Sequence, residues 1–244
     1  TAKRTARNIL SQYADSSFRP LRMEFVFGQN GLSPIVLELS DGTFVYLQGR
    51  IDRVDVMTGG GLRVIDYKSG ARKFDPTLVY WGLQLQLLLY LAAALSRVPG
   101  SHAAGFFYCR IADPTVKTES RIREGVEKQI AKKLSLQGIS LSDVAILRAQ
   151  GGSVASMVTK DGKPNSRYAA SMVDEAGMEK LLDFAKRKAA ELAGEIYRGE
   201  MDDSPVERGA FNACQNCEYS AICAFDPMRK PRRRLTAKKL DDLL

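Results

Sequence analysis

Two stretches of the chain alternate between apolar and polar positions and are joined by glycines. They are Gly49-Arg50-Ile51-Asp52-Arg53-Val54-Asp55 and Leu62-Arg63-Val64-Ile65-Asp66-Tyr67-Lys68. Their Val, Ile, Leu and Tyr content favours β-strands. Thr58-Gly59-Gly60-Gly61 between them reads as a turn, because glycine enters positive φ without a steric penalty. Folding about residues 59 and 60 sets Asp52 opposite Asp66, or within a residue of it. Directly opposed side chains share a face, with Cβ atoms roughly 4.5–5.5 Å apart. Strand alternation adds Lys68 to the face of Asp66, with Leu62 and Val64 behind them.

The pattern elsewhere predicts the elements around this hairpin. Residues 1–14 form a basic amphipathic helix with Ile9, Leu10 and Tyr13 as its apolar side. Residues 23–27 form a strand that carries Glu24, either an auxiliary site residue or a solvent-facing one. Residues 35–39 and 43–47 alternate around Asp41-Gly42, a hairpin signal. A single long helix is expected from Asp75-Pro76-Thr77 to about Leu95, mostly apolar in circumference, with Gln84 and Gln86 as exceptions. Residues 103–110 read as a buried strand, so strand, helix and strand make a crossover onto one sheet. The second half predicts helices over 124–136, 140–148 (capped by Ser140 or Ser142) and 236–244, and a strand over 153–159 ending at Asp161-Gly162. The strongest of its helices covers 174–197, with Met178, Leu181, Leu182, Phe184, Ala185, Ala189, Leu192 and Ile196 as its apolar side.

Composition adds a partner class. The 244 residues carry a net charge of +8, which suits a polyanion. No linker divides the chain, so one domain over 1–228 is expected, followed by a basic tail and short helix over 229–244. Lys180, Lys186, Arg187, Lys188 and the run 228–234 are either phosphate contacts or solvated surface. No apolar run reaches membrane-spanning length and residues 1–20 lack a signal-peptide core, which makes the cytoplasm the expected compartment and no membrane the expected setting.

The candidate chemistry sits on the hairpin. Two close carboxylates repel unless a cation lies between them, and oxygen ligands select Mg²⁺ or Mn²⁺. Lys68 would orient or deprotonate a water, or stabilise a phosphoryl transition state. This suits metal-assisted phosphodiester hydrolysis. Gln86 and Tyr90, four apart, share a helix face that is either a solvated seam or part of this site. Cys214, Cys217 and Cys223 are spaced for zinc or an iron–sulfur cluster, a disulfide being disfavoured in the cytoplasm. The sequence has no Gly-x4-Gly-Lys-Ser/Thr loop to power unwinding.

Gly49-x-x-Asp52-Arg53-x-Asp55, then Asp66-Tyr67-Lys68-Ser69-Gly70, then Gln86-x-x-x-Tyr90, resembles the RecB-type branch of the PD-(D/E)XK nucleases. The segment from Cys214 to Asp226 is similar to the C-terminal nuclease domain of AddB-type helicase–nuclease proteins. The resemblance covers most of the chain, from about Glu24 to Asp226. It implies a restriction-endonuclease-like α/β core, a mixed sheet flanked by helices. It also implies a Mg²⁺- or Mn²⁺-dependent deoxyribonuclease acting on single strands in double-strand-break repair, beside a helicase partner of AddA type. Asp52, Asp66 and the backbone carbonyl of Tyr67 would bind metal, Lys68 would serve catalysis, and Gln86 and Tyr90 would orient. Cys214, Cys217 and Cys223 would hold a structural [4Fe–4S] cluster. The fourth cluster ligand and a family histidine are expected upstream, so the chain is expected to be a fragment. Cys109 and His102 do not stand at those positions. A stand-alone nuclease of the same family and a non-enzymatic module binding DNA ends are the alternatives.

Overall fold

A computed structural model describes residues 1–29, 32–117, 123–200, 204–209 and 211–244. Helix α1 (Ala2–Ala14) leads into strand β1 (Arg19–Phe27), and the hairpin β2 (Ile35–Glu38) and β3 (Phe44–Leu47) follows. Next come β4 (Gly49–Val56), β5 (Gly61–Lys68), α2 (Pro76–Tyr80), α3 (Gln86–Arg97) and β6 (His102–Arg110). The second half holds α4 (Arg123–Lys133), β7 (Gln137–Leu141), α5 (Val144–Gln150), α6 (Gly152–Ala155), β8 (Met172–Val173) and α7 (Glu175–Tyr197). The chain closes with β9 (Val206–Arg208), β10 (Phe211–Asn212), α8 (Ser220–Cys223) and β11 (Arg233–Arg234).

The main sheet has six strands in the order β1-β4-β5-β6-β7-β8. β5 and β6 run parallel through the α2–α3 crossover, while β1, β4 and β5 are antiparallel neighbours. This is the mixed sheet flanked by helices that the sequence implies. The pleat sorts β5 by face. Leu62 and Val64 enter a core shared with Leu88 and Leu91 of α3 and Leu181 and Ala185 of α7. Ile65 and Tyr67 pack on the other side with Phe107, Cys109, Leu147 and Val154.

The expected helix over 75–95 is instead two. Asp75 caps α2 by accepting from the Thr77 N–H at 3.0 Å. The chain then breaks at Gly82, which has φ +78°. Gln84 explains the break. It is buried, accepts from the Asp75 N–H at 2.8 Å and donates to the Lys73 carbonyl at 2.8 Å, so it joins the loop before α2 to the start of α3. An amide inside an apolar run therefore marks a junction between two helices.

Four smaller expectations change for similar reasons. Ser140 is buried within β7, and the helix after it is capped by Asp143, whose carboxylate accepts from the Ile146 N–H. Residues 153–159 contain α6 and only an isolated bridge between Val158 and Pro164, not a strand. Leu10 and Ile196 continue their helices' apolar pattern yet are exposed. Residues 236–244 hold a short 3₁₀ turn at Leu240–Leu243 rather than a longer helix. That turn docks: Leu240 and Leu243 join the core, and Thr77 exchanges hydrogen bonds with the Lys238 main chain. No helix among the described residues is long and apolar enough to cross a membrane.

Candidate active site

The hairpin folds about its glycine turn in the expected register. Val56 pairs with Leu62, Val54 with Val64 and Arg53 with Ile65. Asp52 and Asp66 come next in this register, but the ladder has ended there. The Tyr67 N–H donates instead to Asp52 Oδ2 at 2.8 Å. The strands therefore splay where the two acids stand, and a carboxylate takes over a main-chain acceptor's place.

Asp66 is 2 % exposed, and its Oδ2 lies 2.6 Å from Lys68 Nζ. That oxygen is buried and makes no well-directed hydrogen bond among the described residues. Burial pushes the Asp66 carboxyl above its ordinary value, and the charge of Asp52 pushes the same way, against the pull of Lys68 and Arg72. A buried carboxylate that Lys68 meets on one side and a second carboxylate crowds on the other is a donor set that a hard divalent cation fits.

Gln86 and Tyr90 reach the same place from α3. Lys68 Nζ donates to Gln86 Oε1 at 3.2 Å, and Gln86 Nε2 donates to Tyr90 Oη at 2.9 Å. Lys68, a donor only, selects the oxygen end of the amide, and Tyr90 holds the other end. The break at Gly82 makes this possible, because it lets Gln86 open a new helix beside β5. Asp52, Asp66, Tyr67, Lys68, Gln86 and Tyr90 are brought together, with Gln86 exposed to solvent at the edge of the group.

Glu24 stands apart. It sits at φ +53° on β1, exposed, and pairs with Arg50 at 2.7 Å. His102 is the exposed first residue of β6 rather than a loop residue. Lys186 and Lys188 pair with acids of their own helix, Asp183 and Glu191. In the basic run, Arg232 and Arg234 reach Glu207, and Arg229 reaches Asp226.

The cysteines lie away from the hairpin, on short turns after β10. Cys214 and Cys217 are half-buried, Cys223 is exposed, and all are free thiols. Among the described residues no three His, Cys, Asp or Glu side chains are assembled around one point. The thiols do not form a ready-made ligand set for a cluster.

One group was legible but unassigned. Arg53, Asp55 and Arg63 sit at alternating positions on the rear of β4 and β5, all 0 % exposed. Arg53 grips Asp55 through Nε and Nη2, both at 2.6 Å, and Arg63 Nε reaches Asp55 at 2.9 Å. Rings of Tyr13 and Phe18 lie 4.5 Å from the two guanidinium carbons. Burial opposes the Arg53 charge, but its hydrogen bonds to Asp55 and the charge of that carboxylate outweigh it and hold the guanidinium above its ordinary range. Arg63, more deeply enclosed and beside Arg53, is pushed below. Three charged residues at period two inside apolar strands were the available signal.

A family model for the PD-(D/E)XK nuclease superfamily matches residues 1–224, and the chain belongs to that superfamily. Its relatives include proteins named for one subunit of an ATP-dependent helicase/deoxyribonuclease. The one from Alkaliphilus metalliredigens is 36 % identical over 242 residues, covering 92 % of this chain and 21 % of that protein. The protein of the same name from Moorella thermoacetica is 38 % identical over 237 residues, covering 90 % of this chain and 20 % of its own length. The one from Clostridium tetani is 37 % identical over 255 residues, covering 97 % and 22 %. The chain thus spans about a fifth of the length of the curated relatives it matches.

Proposed function

We propose that this domain is a Mg²⁺- or Mn²⁺-dependent deoxyribonuclease that hydrolyses phosphodiester bonds of single-stranded DNA. It would be the nuclease part of a helicase–nuclease in the repair of broken DNA, with a helicase partner and a cytoplasmic setting. The observation that carries the reading is the convergence of Asp52, Asp66 and Lys68 with Gln86 and Tyr90 at the splayed end of β4 and β5. The printed names of the relatives and the net charge of +8 support it.

Asp52, Asp66 and the Tyr67 carbonyl are the residues that would hold the cation. Bound there, it would act as a Lewis acid on the phosphate and lower the pKa of a water. The chain's own part is positioning. Asp66 and Gln86 aim Lys68 Nζ, and Tyr90 anchors the far end of the Gln86 amide. Lys68 so held can donate to a phosphate oxygen or orient the attacking water. Little base readout is expected, because charge and stacking suffice for single strands. Cys214, Cys217 and Cys223 are read as candidates for a structural [4Fe–4S] cluster with a ligand from outside this chain, and no catalytic step depends on it.

The test is cleavage of end-labelled single-stranded DNA with Mg²⁺ by the parent, Asp66→Ala and Lys68→Ala. Iron content and visible absorbance are read on each sample. Cleavage by the parent that is lost in both variants is expected. An inert parent whose cysteines are loaded with a cluster would replace the enzyme reading with a DNA-end-binding module.

A further inference from the structure

We infer that the partly buried hydrogen bond between Arg53 and Tyr67 is a clamp behind the sheet that sets the spacing of Asp52 and Asp66. This makes Arg53 and the Tyr67 hydroxyl positioning groups for the cation site, and it rests on the nuclease reading above.

The main-chain ladder cannot set that spacing. Its last pair is Arg53 with Ile65, and the acids lie just beyond it. Past this point the hydrogen bonds described between the two strands each involve a side chain. On the front, Asp52 accepts from the Tyr67 N–H. On the back, Arg53 Nη1 donates to Tyr67 Oη at 3.3 Å. The residues concerned are the immediate neighbours of the acids, Arg53 following Asp52 and Tyr67 following Asp66. Alternation throws the neighbours to the rear while the acids face forward.

The rear anchor is rigid. Arg53 is fully buried, held by two 2.6 Å bonds to Asp55, and lies against the Tyr13 ring. Asp55 is held in turn by Arg63, which is bound to Gln150 Oε1 at 2.9 Å. A shift of the Tyr67 ring would carry its main chain along. That main chain bears both the N–H that Asp52 accepts and the carbonyl read as a cation ligand. Two contacts therefore connect the buried guanidinium to the Tyr67 main chain and to Asp52, and Asp66 is the next residue along that main chain.

A purely structural role for the same bond makes a different forecast, and Mn²⁺ titration calorimetry separates the two. The 244-residue chain is freed of metal by chelation, and its melting is followed in parallel. Tyr67→Phe removes only the hydroxyl. Gln150→Leu loosens the same buried network at its far end without touching the clamp. Tyr67→Phe is expected to weaken Mn²⁺ binding about tenfold, the usual scale for a partner that orients a ligand, and to melt near the parent. Gln150→Leu is expected to melt lower and to bind Mn²⁺ as the parent does. Parent-like Mn²⁺ affinity in Tyr67→Phe would overturn the clamp. So would an equal loss of affinity in both variants, since that reports general loosening. Asp66→Ala separates the levels: if it binds Mn²⁺ as the parent does, the nuclease reading itself fails and the clamp with it.

Discussion

Asp55→Asn should be among the most destabilising single substitutions in this protein. Asp55 is the one carboxylate between two fully buried guanidinium groups, and it accepts three hydrogen bonds at 2.6, 2.6 and 2.9 Å. Asparagine keeps one acceptor oxygen, turns the other into a donor facing an N–H, and removes the charge. Breaking a buried ion pair by removing one partner costs about 3–5 kcal/mol, because the remaining charge stays buried. Here two cations remain, so about 4 kcal/mol or more is expected. For a chain of this size that lowers Tm by about 8–16 °C. Urea unfolding followed by far-ultraviolet circular dichroism measures it, with the midpoint moving and the slope unchanged. Replacing Arg53, Asp55 and Arg63 together by Met, Leu and Met should cost less than Asp55→Asn alone, since no charge is then stranded. A loss below about 1 kcal/mol for Asp55→Asn would refute the reasoning, because it would mean that water reaches the guanidinium groups.

Other outcomes follow from the same structure. Gln86→Leu removes the acceptor that aims Lys68 and should lower the rate of DNA cleavage about tenfold or more, the scale of one hydrogen bond to a charged group; an unchanged rate would separate α3 from the chemistry. Gly82→Ala forces a Cβ into the left-handed region and to 2.5 Å from Leu192 Cδ1, and should cost about 1–2 kcal/mol in urea unfolding. Tyr108 is buried, and burial followed by the charge of Asp66 pushes its phenol up to about 12. A raised folded-state value means that its contribution is whole below the ordinary value of 10.0 and is lost as pH rises toward 12. Tyr108→Phe should therefore flatten the fall of Tm with pH in that window. Chelation by EDTA should abolish cleavage, and added Mn²⁺ should restore it.

Much of the site was legible because it is built from short-range rules. Asp52, Asp66 and Lys68 could be placed by a glycine turn and a period of two, and Gln86 with Tyr90 by a period near four. Gln84 was visible as an anomaly, but its meaning was not. Only the path of the loop before α2 shows that its amide joins Asp75 to Lys73 and ends a helix. Ser140 and Ser142 carried cap chemistry, yet Asp143 became the cap, because pairing of β7 with β6 and β8 drew Ser140 into the sheet.

The sequence by itself determined the hairpin, its register to within a residue, and the alternation that sets Asp66 and Lys68 on one face. These depend on neighbours a few residues away, and the pleat leaves them no choice. The tertiary structure alone decided that the strands part at Asp52 and Asp66, and that Arg53, Asp55 and Arg63 become a buried knot. The knot rests on groups distant in the chain, since Tyr13, Phe18 and Gln150 close over the charges, and the parting shows in the Asp52 carboxylate that accepts the Tyr67 N–H in place of a main-chain oxygen. A charge in a strand reads the same whether water or protein lies beyond it, and only the packing of distant elements settles which one does.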